Sequence, residues 1–303
     1  MTNRTATWEN IGKDITEATN VKEALRISGL DYEVTKAPIY LSSKKRIEGK
    51  FATKIKGTDE VLGIVGNDYT LIQNQEAFEF IDHIVGEGLK FVKAGMAANN
   101  NLVYVIGKLP EEKILKDKIA PYIIFQNSHS GFTTLKAAIC PLRIVCQNQF
   151  KVAFRGANDT VSLRHTKNIS GRLHEAEEVL SLSNSYMSVV KREAESLANL
   201  KISDNDAVQI VNALFPYDEI SATERVKNAM NERRTRLLGI YKTTEDLADY
   251  VGTGYGMIQA YADMVTHNES QRKTKTWEES RFFKVSFDSN YMNKLVSIIK
   301  ERA

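Results

Sequence analysis

Two cysteines, Cys140 and Cys146, are all the thiols in 303 residues. That excludes a disulfide framework and fits a reducing compartment. No apolar run approaches the roughly 20 residues needed to span a bilayer, so no membrane partner is expected. The opening "MTNRTATWENIGKDITEATN" lacks an apolar signal core, which points away from secretion. Neither a G-x-x-x-x-G-K-[ST] loop nor a G-x-G-x-x-G after a strand is present, so an ATP-driven motor is excluded and no cofactor is expected. No G-x-S-x-G elbow occurs. Charge of one sign is also lacking: the net is only +3. Any case for a polyanionic partner therefore rests on where the cations sit.

What is present reads as α+β, an antiparallel hairpin-rich sheet with packed helices followed by a mostly α-helical C-terminal region. "NVKEALRISGL" is a short helix with Asn20 as its N-cap and Gly29 near its end. "DYEVTKAPIYLSS" is extended, with Pro38 marking an edge or a strand end. Hairpins are expected around "GTDE", "AANN" and "HSG", where β-rich runs flank turn residues. Ala77, Phe78, Ile81, Ile84 and Val85 fall at helical spacing before Gly86 and Gly88. "IVCQNQFKVAFRG" has a mixed pattern that reads as helix, and "TVSLRHT" returns to strand.

The character changes near residue 170. Leu173, Ala176, Leu180, Met187, Val190, Ala194 and Leu197 recur at three- and four-residue steps, the mark of a long amphipathic helix. More helical segments follow, two of them opening on a serine capping signal at Ser203 and Ser221. "GTGYG" reads as a helix break and "NESQRKTKTWEESRFF" as a polar loop. This predicts residues 1–170 as an α+β core domain and 171–303 as a helical domain.

Chemistry-bearing groups are few. Cys140 and Cys146 lie six apart, which is not the spacing of a zinc knuckle. His129 and His165 are available to complete a site, or to pair with Cys146, but free cysteine is among the most commonly buried residue types. Glu175, Glu177 and Glu178 read as the wet side of the long helix. No metal site and no catalytic residue is assigned on these patterns.

The cations are uneven. Lys136, Arg143, Lys151, Arg155, Arg164, Lys167 and Arg172 stand against Asp159 alone, a local +6. The plain alternative is a solvated face, or ion pairs to acidic helices. "FKVAFRG" interleaves Phe150 and Phe154 with Lys151 and Arg155, and "SLRHT" adds Arg164 and His165. Cations hold phosphates and rings stack on unpaired bases. Asn127, Gln147, Asn148 and Gln149 add neutral donors, and "NERRTR" adds Arg233, Arg234 and Arg236. The candidate nucleic-acid-binding set is Arg143, Phe150, Lys151, Phe154, Arg155, Arg164, His165 and Lys167.

Five strings carry a family resemblance: "EALRISGLDYEV", "GIVGNDYTLIQNQEAF", "NSHSG", "PLRIVCQNQF" and "LRHT". With them the chain resembles the phage/plasmid-like proteins of bacterial mobile elements over about residues 8 to 180. Ser130 stands where members carry an acidic residue after the histidine, and Gln149 where they carry threonine. The resemblance implies phage or plasmid origin and the cytoplasm of a bacterial host. A more distant similarity is to phage single-strand annealing proteins, which assemble into rings and hold DNA in a basic groove without ATP. It implies single-stranded DNA as partner, strand annealing in recombination, and a homo-oligomer. The alternative is a factor that binds a host or phage protein through the long helix, as a host-defence antagonist or replication regulator. A metal-dependent nuclease is a third possibility.

Overall fold

A computed structural model describes residues 11–97, 102–131, 135–143, 148–149, 160–162, 169–267 and 290–302. Of the described residues, the first half builds two antiparallel sheets. The larger contains β1 (Lys13–Asp14), β5 (Lys90–Ala97), β6 (Leu102–Lys108), β7 (Glu112–Ile114), β8 (Asp117–Ser128), β9 (Lys136–Arg143), β10 (Asn148–Gln149) and β11 (Thr160–Ser162). Its order is β1-β5-β6-β8-β9-β10, with β7 on β8 and β11 on β9. The smaller sheet is β2 (Val34–Tyr40), β3 (Arg46–Ile55) and β4 (Val61–Gly66), in that order. The expected hairpins around "GTDE" and "HSG" are thus in place, and β2 with Pro38 is an edge strand. Of "IVCQNQFKVAFRG" only Asn148 and Gln149 lie within the described residues, and there they correct the helical expectation: they pair with Arg143 and Leu142 as strand.

β8 lies at the centre and alternates two apolar sets. Ile119, Ile123 and Phe125 face one core; Ala120, Tyr122 and Ile124 face another, with Tyr104, Ile106, Cys140 and Leu142. Cross-strand register fixes this: Val105, Phe125 and Ala137 align, as do Ile106, Ile124 and Ala138. Cys140 is buried, as its type favours.

Helix α1 (Val21–Ser28) is bounded as its sequence reads. The Asn20 side chain accepts from Glu23 N at 2.9 Å, and Gly29 closes the helix at φ 73°. The expected single helix after Gln73 is two short ones, α2 (Asn74–Phe78) and α3 (Ile81–Gly86). Between them Asp82 N and His83 N reach only three residues back, and Phe80 turns inward to meet Phe125 edge-on at 5.6 Å.

The helical half begins with α4 (Ile169–Asn199), then α5 (Asp204–Leu214), α6 (Glu224–Thr243), a 3-10 turn (Glu245–Tyr250), α7 (Gly254–Thr266) and α8 (Asn290–Arg302). Ser203 caps α5 through Asp206 N at 3.1 Å. Ser221 does not cap α6, which starts after Thr223. The "GTGYG" break is the start of α7: Thr253 is its N-cap and Gly254, Tyr255 and Gly256 form its first turn. α4 buries Ala176, Val179, Tyr186, Met187, Val190, Ala194 and Leu197 in the same core that holds Ile123 and Phe125. One core therefore crosses residue 170. Glu175 is buried on this helix, contrary to expectation, while Glu177 and Glu178 are exposed. α7 is buried nearly all round, and α6 buries only Leu237 and Tyr241. Among the described residues no helix is long and apolar enough to cross a membrane.

Candidate nucleic-acid interface

Phe150, Lys151, Phe154, Arg155, Arg164, His165 and Lys167 lie outside the described residues, as do Gln147 and Cys146. Arg143 ends β9 with its backbone opposite Asn148. Asn127 is 4% exposed, which corrects its expected role as a surface donor. Arg234 is tied down: its Nε and Nη2 donate to Phe215 O at 3.0 and 2.8 Å, and its guanidinium lies 4.4 Å from the Tyr217 ring. Arg233 is exposed.

The long helix offers a partner little apolar surface, because that side faces the core. Its wetter side lines a groove of about 680 Å³ with α3, bordered by His83, Glu87, Glu177, Ser181 and Asn184.

A second cation cluster lies in the small sheet. Lys36, Lys44, Lys45, Arg46, Lys50, Lys54 and Lys56 stand against Glu48 alone, which is +6 over residues 36–56. The 136–172 segment reaches the same surplus over a longer stretch, so the hairpin is the denser of the two. Hairpin pairing concentrates it further by folding β2 back along β3.

Aromatic rings are interleaved with these cations. The Lys36 ammonium lies 5.7 Å from the centroids of both Phe51 and Tyr69. Arg46 lies 5.8 Å from the same Phe51 ring. Phe51 thus sits between two cations, each attracted to its π-face. Lys36 also donates to the carbonyls of Tyr69 and Asn67, which fixes it in place. Lys54 and Lys56 pair with Asp59 and Glu33 at 3.4 and 2.6 Å. Among the described residues no carboxylate pairs with Lys44, Lys45, Arg46 or Lys50, and all four are exposed. The row from Tyr69 through Lys36, Phe51 and Arg46 to Lys44 forms a track of rings and positive charge.

The track stands on a buried polar joint. Gln73 clamps the start of β2, accepting from Val34 N at 2.8 Å and donating to Val34 O at 3.0 Å. The Asn74 amide donates to Leu30 O at 2.9 Å, leaving its Oδ1 for His129 Nε2 at 2.8 Å. His129 is therefore the Nε2–H tautomer, and its buried Nδ1 has no partner among the described residues. Burial holds its pKa down at about 4, so the ring is neutral. The amide hydrogen bond holds the neutral ring in one orientation inside the joint. The same loop meets the small sheet: Thr53 Oγ1 donates to His129 O at 2.7 Å, and Tyr69 OH donates to Ser128 O at 3.2 Å.

Gly63 completes the joint. It is paired with Thr53, and a Cβ there would stand 2.4 Å from Ser130 Cα and 3.2 Å from His129 O. Neither obstacle is a flexible side-chain end. Gly63→Ala is expected to destabilise the protein by about 2 kcal/mol through overpacking. Urea denaturation checks it, and an unchanged midpoint would show that the loop yields freely.

A family model described as "Domain of unknown function (DUF932)" matches residues 61–284. The matched segment starts at the first residue of β4 and includes the "NSHSG" joint and helices α4 to α7; β2 and β3 precede it. No curated protein and no solved structure matches the chain.

Proposed function

We propose that this chain, which belongs to the DUF932 family, binds single-stranded DNA and anneals it without ATP. The observation that carries this is the β2–β3 hairpin, where cations with no carboxylate partner among the described residues stand beside the half-buried rings of Phe51 and Tyr69. Four exposed cations, with no carboxylate partner among the described residues, repel one another in the free protein, and phosphates relieve that repulsion while releasing condensed counterions. Phe51 and Tyr69 add faces on which bases of any sequence stack, which favours single strands over a closed duplex. The setting we propose is recombination of phage or plasmid DNA in a bacterial cytoplasm, by a homo-oligomer that brings two coated strands together. The motif resemblance to mobile-element proteins supports that setting.

Titration of labelled oligonucleotides at rising salt tests the binding. Affinity is expected to be independent of sequence and to fall with log[salt] at about −0.7 per phosphate engaged. Folded protein that binds no oligonucleotide at low salt removes the proposal. Complementary strands carrying a fluorophore and a quencher test the second part. Protein that binds each strand but leaves their pairing rate unchanged restricts the function to binding.

A further inference from the structure

Beyond the ring-and-cation track, the end of the same hairpin combines three features that are each unfavourable in a free protein. Tyr40 and Leu41 are 57% and 51% exposed, side by side. Lys44, Lys45 and Arg46 follow, three like charges in a row with no carboxylate paired to them among the described residues. Lys44 also has φ 64°, a left-handed conformation that favours glycine or asparagine.

The turn is closed and regular. Leu41 N donates to Lys45 O, and Lys44 N to Leu41 O, both at 2.8 Å. A glycine at position 44 would relax it and remove one charge from the cluster. Local rules broken together at one place are the mark of a site shaped for a ligand.

The end is also set apart from the hairpin's base. Pro38 pairs with Phe51, but the next pair is Tyr40 with Arg46. Ile47–Lys50 therefore bulge opposite Ile39, and Gly49 takes φ 69° to allow it.

We propose that this end is a wedge that reads the junction between single-stranded and duplex DNA. Tyr40 and Leu41 enter at the last base step, and Lys44, Lys45 and Arg46 hold the phosphates on either side. Apolar side chains inserted between base steps and flanked by cations are a known way of unstacking a duplex. Charge complementarity selects a polyanion. Continuity with the track through Arg46 and Phe51 selects nucleic acid over an anionic membrane. The inference rests on the single-strand reading above and goes beyond it, because single-strand binding alone gives no preference for a junction.

The test uses the full chain and three labelled DNAs: a single strand, a blunt duplex, and a fork of that duplex with a single-stranded tail. The fork is expected to bind on the order of tenfold tighter than the single strand, the effect of one additional stacked base. Tyr40→Ser with Leu41→Ser should abolish that preference while single-strand affinity stays within about twofold. Lys44→Gly should raise the melting temperature by relaxing the turn and also weaken fork binding, and a purely structural role would not produce the second effect. Equal affinity of the native protein for fork and single strand overturns the wedge. So does a fork preference that survives the double substitution, or Lys44→Gly protein with unaltered fork binding. Tight binding to phosphatidylglycerol vesicles without a fork preference assigns the tip to membranes instead. Absence of binding to all three DNAs rejects the single-strand function itself, a distinct outcome.

Discussion

Replacing Lys44, Lys45, Arg46 and Lys50 together with glutamine is expected to reduce single-stranded DNA affinity on the order of a hundredfold to a thousandfold at ~0.1 M salt. Each phosphate neutralised on a single strand contributes about −0.7 to the slope of log affinity against log[salt]. Loss of four contacts makes that slope shallower by about 3, and the affinities of variant and native protein converge near 1 M salt. The fold should not suffer. All four side chains are exposed, and no carboxylate among the described residues depends on them. Mutating Lys54 and Lys56 instead should weaken binding less, because Asp59 and Glu33 already neutralise them. Measurement by anisotropy across a salt series separates the cases. A quadruple variant with the native slope would show that the hairpin does not carry the phosphates, whatever the affinity.

The local architecture was readable because its signals are local. Asn20 and Gly29 bound α1, and the "GTDE" and "HSG" turns separate runs of β-rich residues. Two elements depart from the sequence pattern for non-local reasons. The apolar spacing from Ala77 to Val85 is continuous with one helix, yet Phe80 is drawn to Phe125 on β8, and the helix tightens and breaks there. Asn148 and Gln149 sit in a mixed pattern, and only the open edge of β9 makes them strand. The hairpin cations were visible in the sequence as a denser run than residues 136–172, but a raw sum does not say which charges are neutralised. That needs the positions of Glu33 and Asp59. His129 is the clearest case of an illegible role. Its neighbours in sequence are serines, while the partner that fixes its tautomer, Asn74, lies 55 residues away. The "IQNQEAF" and "NSHSG" strings look like separate motifs and are two sides of one joint.

That joint makes acid the second strong lever on the protein. Stability is expected to fall by about 3 kcal/mol between pH 6.5 and 4 on account of His129 alone. The sign follows from which state takes the proton. In the unfolded chain the imidazole titrates near its ordinary 6.5; in the folded chain burial holds it at about 4. Above pH 6.5 both states are neutral and the group adds no pH dependence. Below it the unfolded chain binds a proton that the folded chain refuses, so stability drops until the folded pKa is reached. The cause is burial of the ring: Asn74 occupies Nε2, and among the described residues a proton on Nδ1 would have no acceptor. Carboxylates held below their usual range by hydrogen bonds, such as Asp14, Glu23, Asp206 and Asp218, act in the same direction only at lower pH. Asp82, raised by burial, acts against them. Comparison with a variant that lacks the imidazole assigns the loss between pH 6.5 and 5 to His129. His129→Gln should be less stable at pH 7, from lost packing, and nearly flat across that interval. Urea denaturation at pH 7 and pH 5 decides it: equal stability of the native protein at both, or an undiminished loss in His129→Gln, would place the acid sensitivity elsewhere.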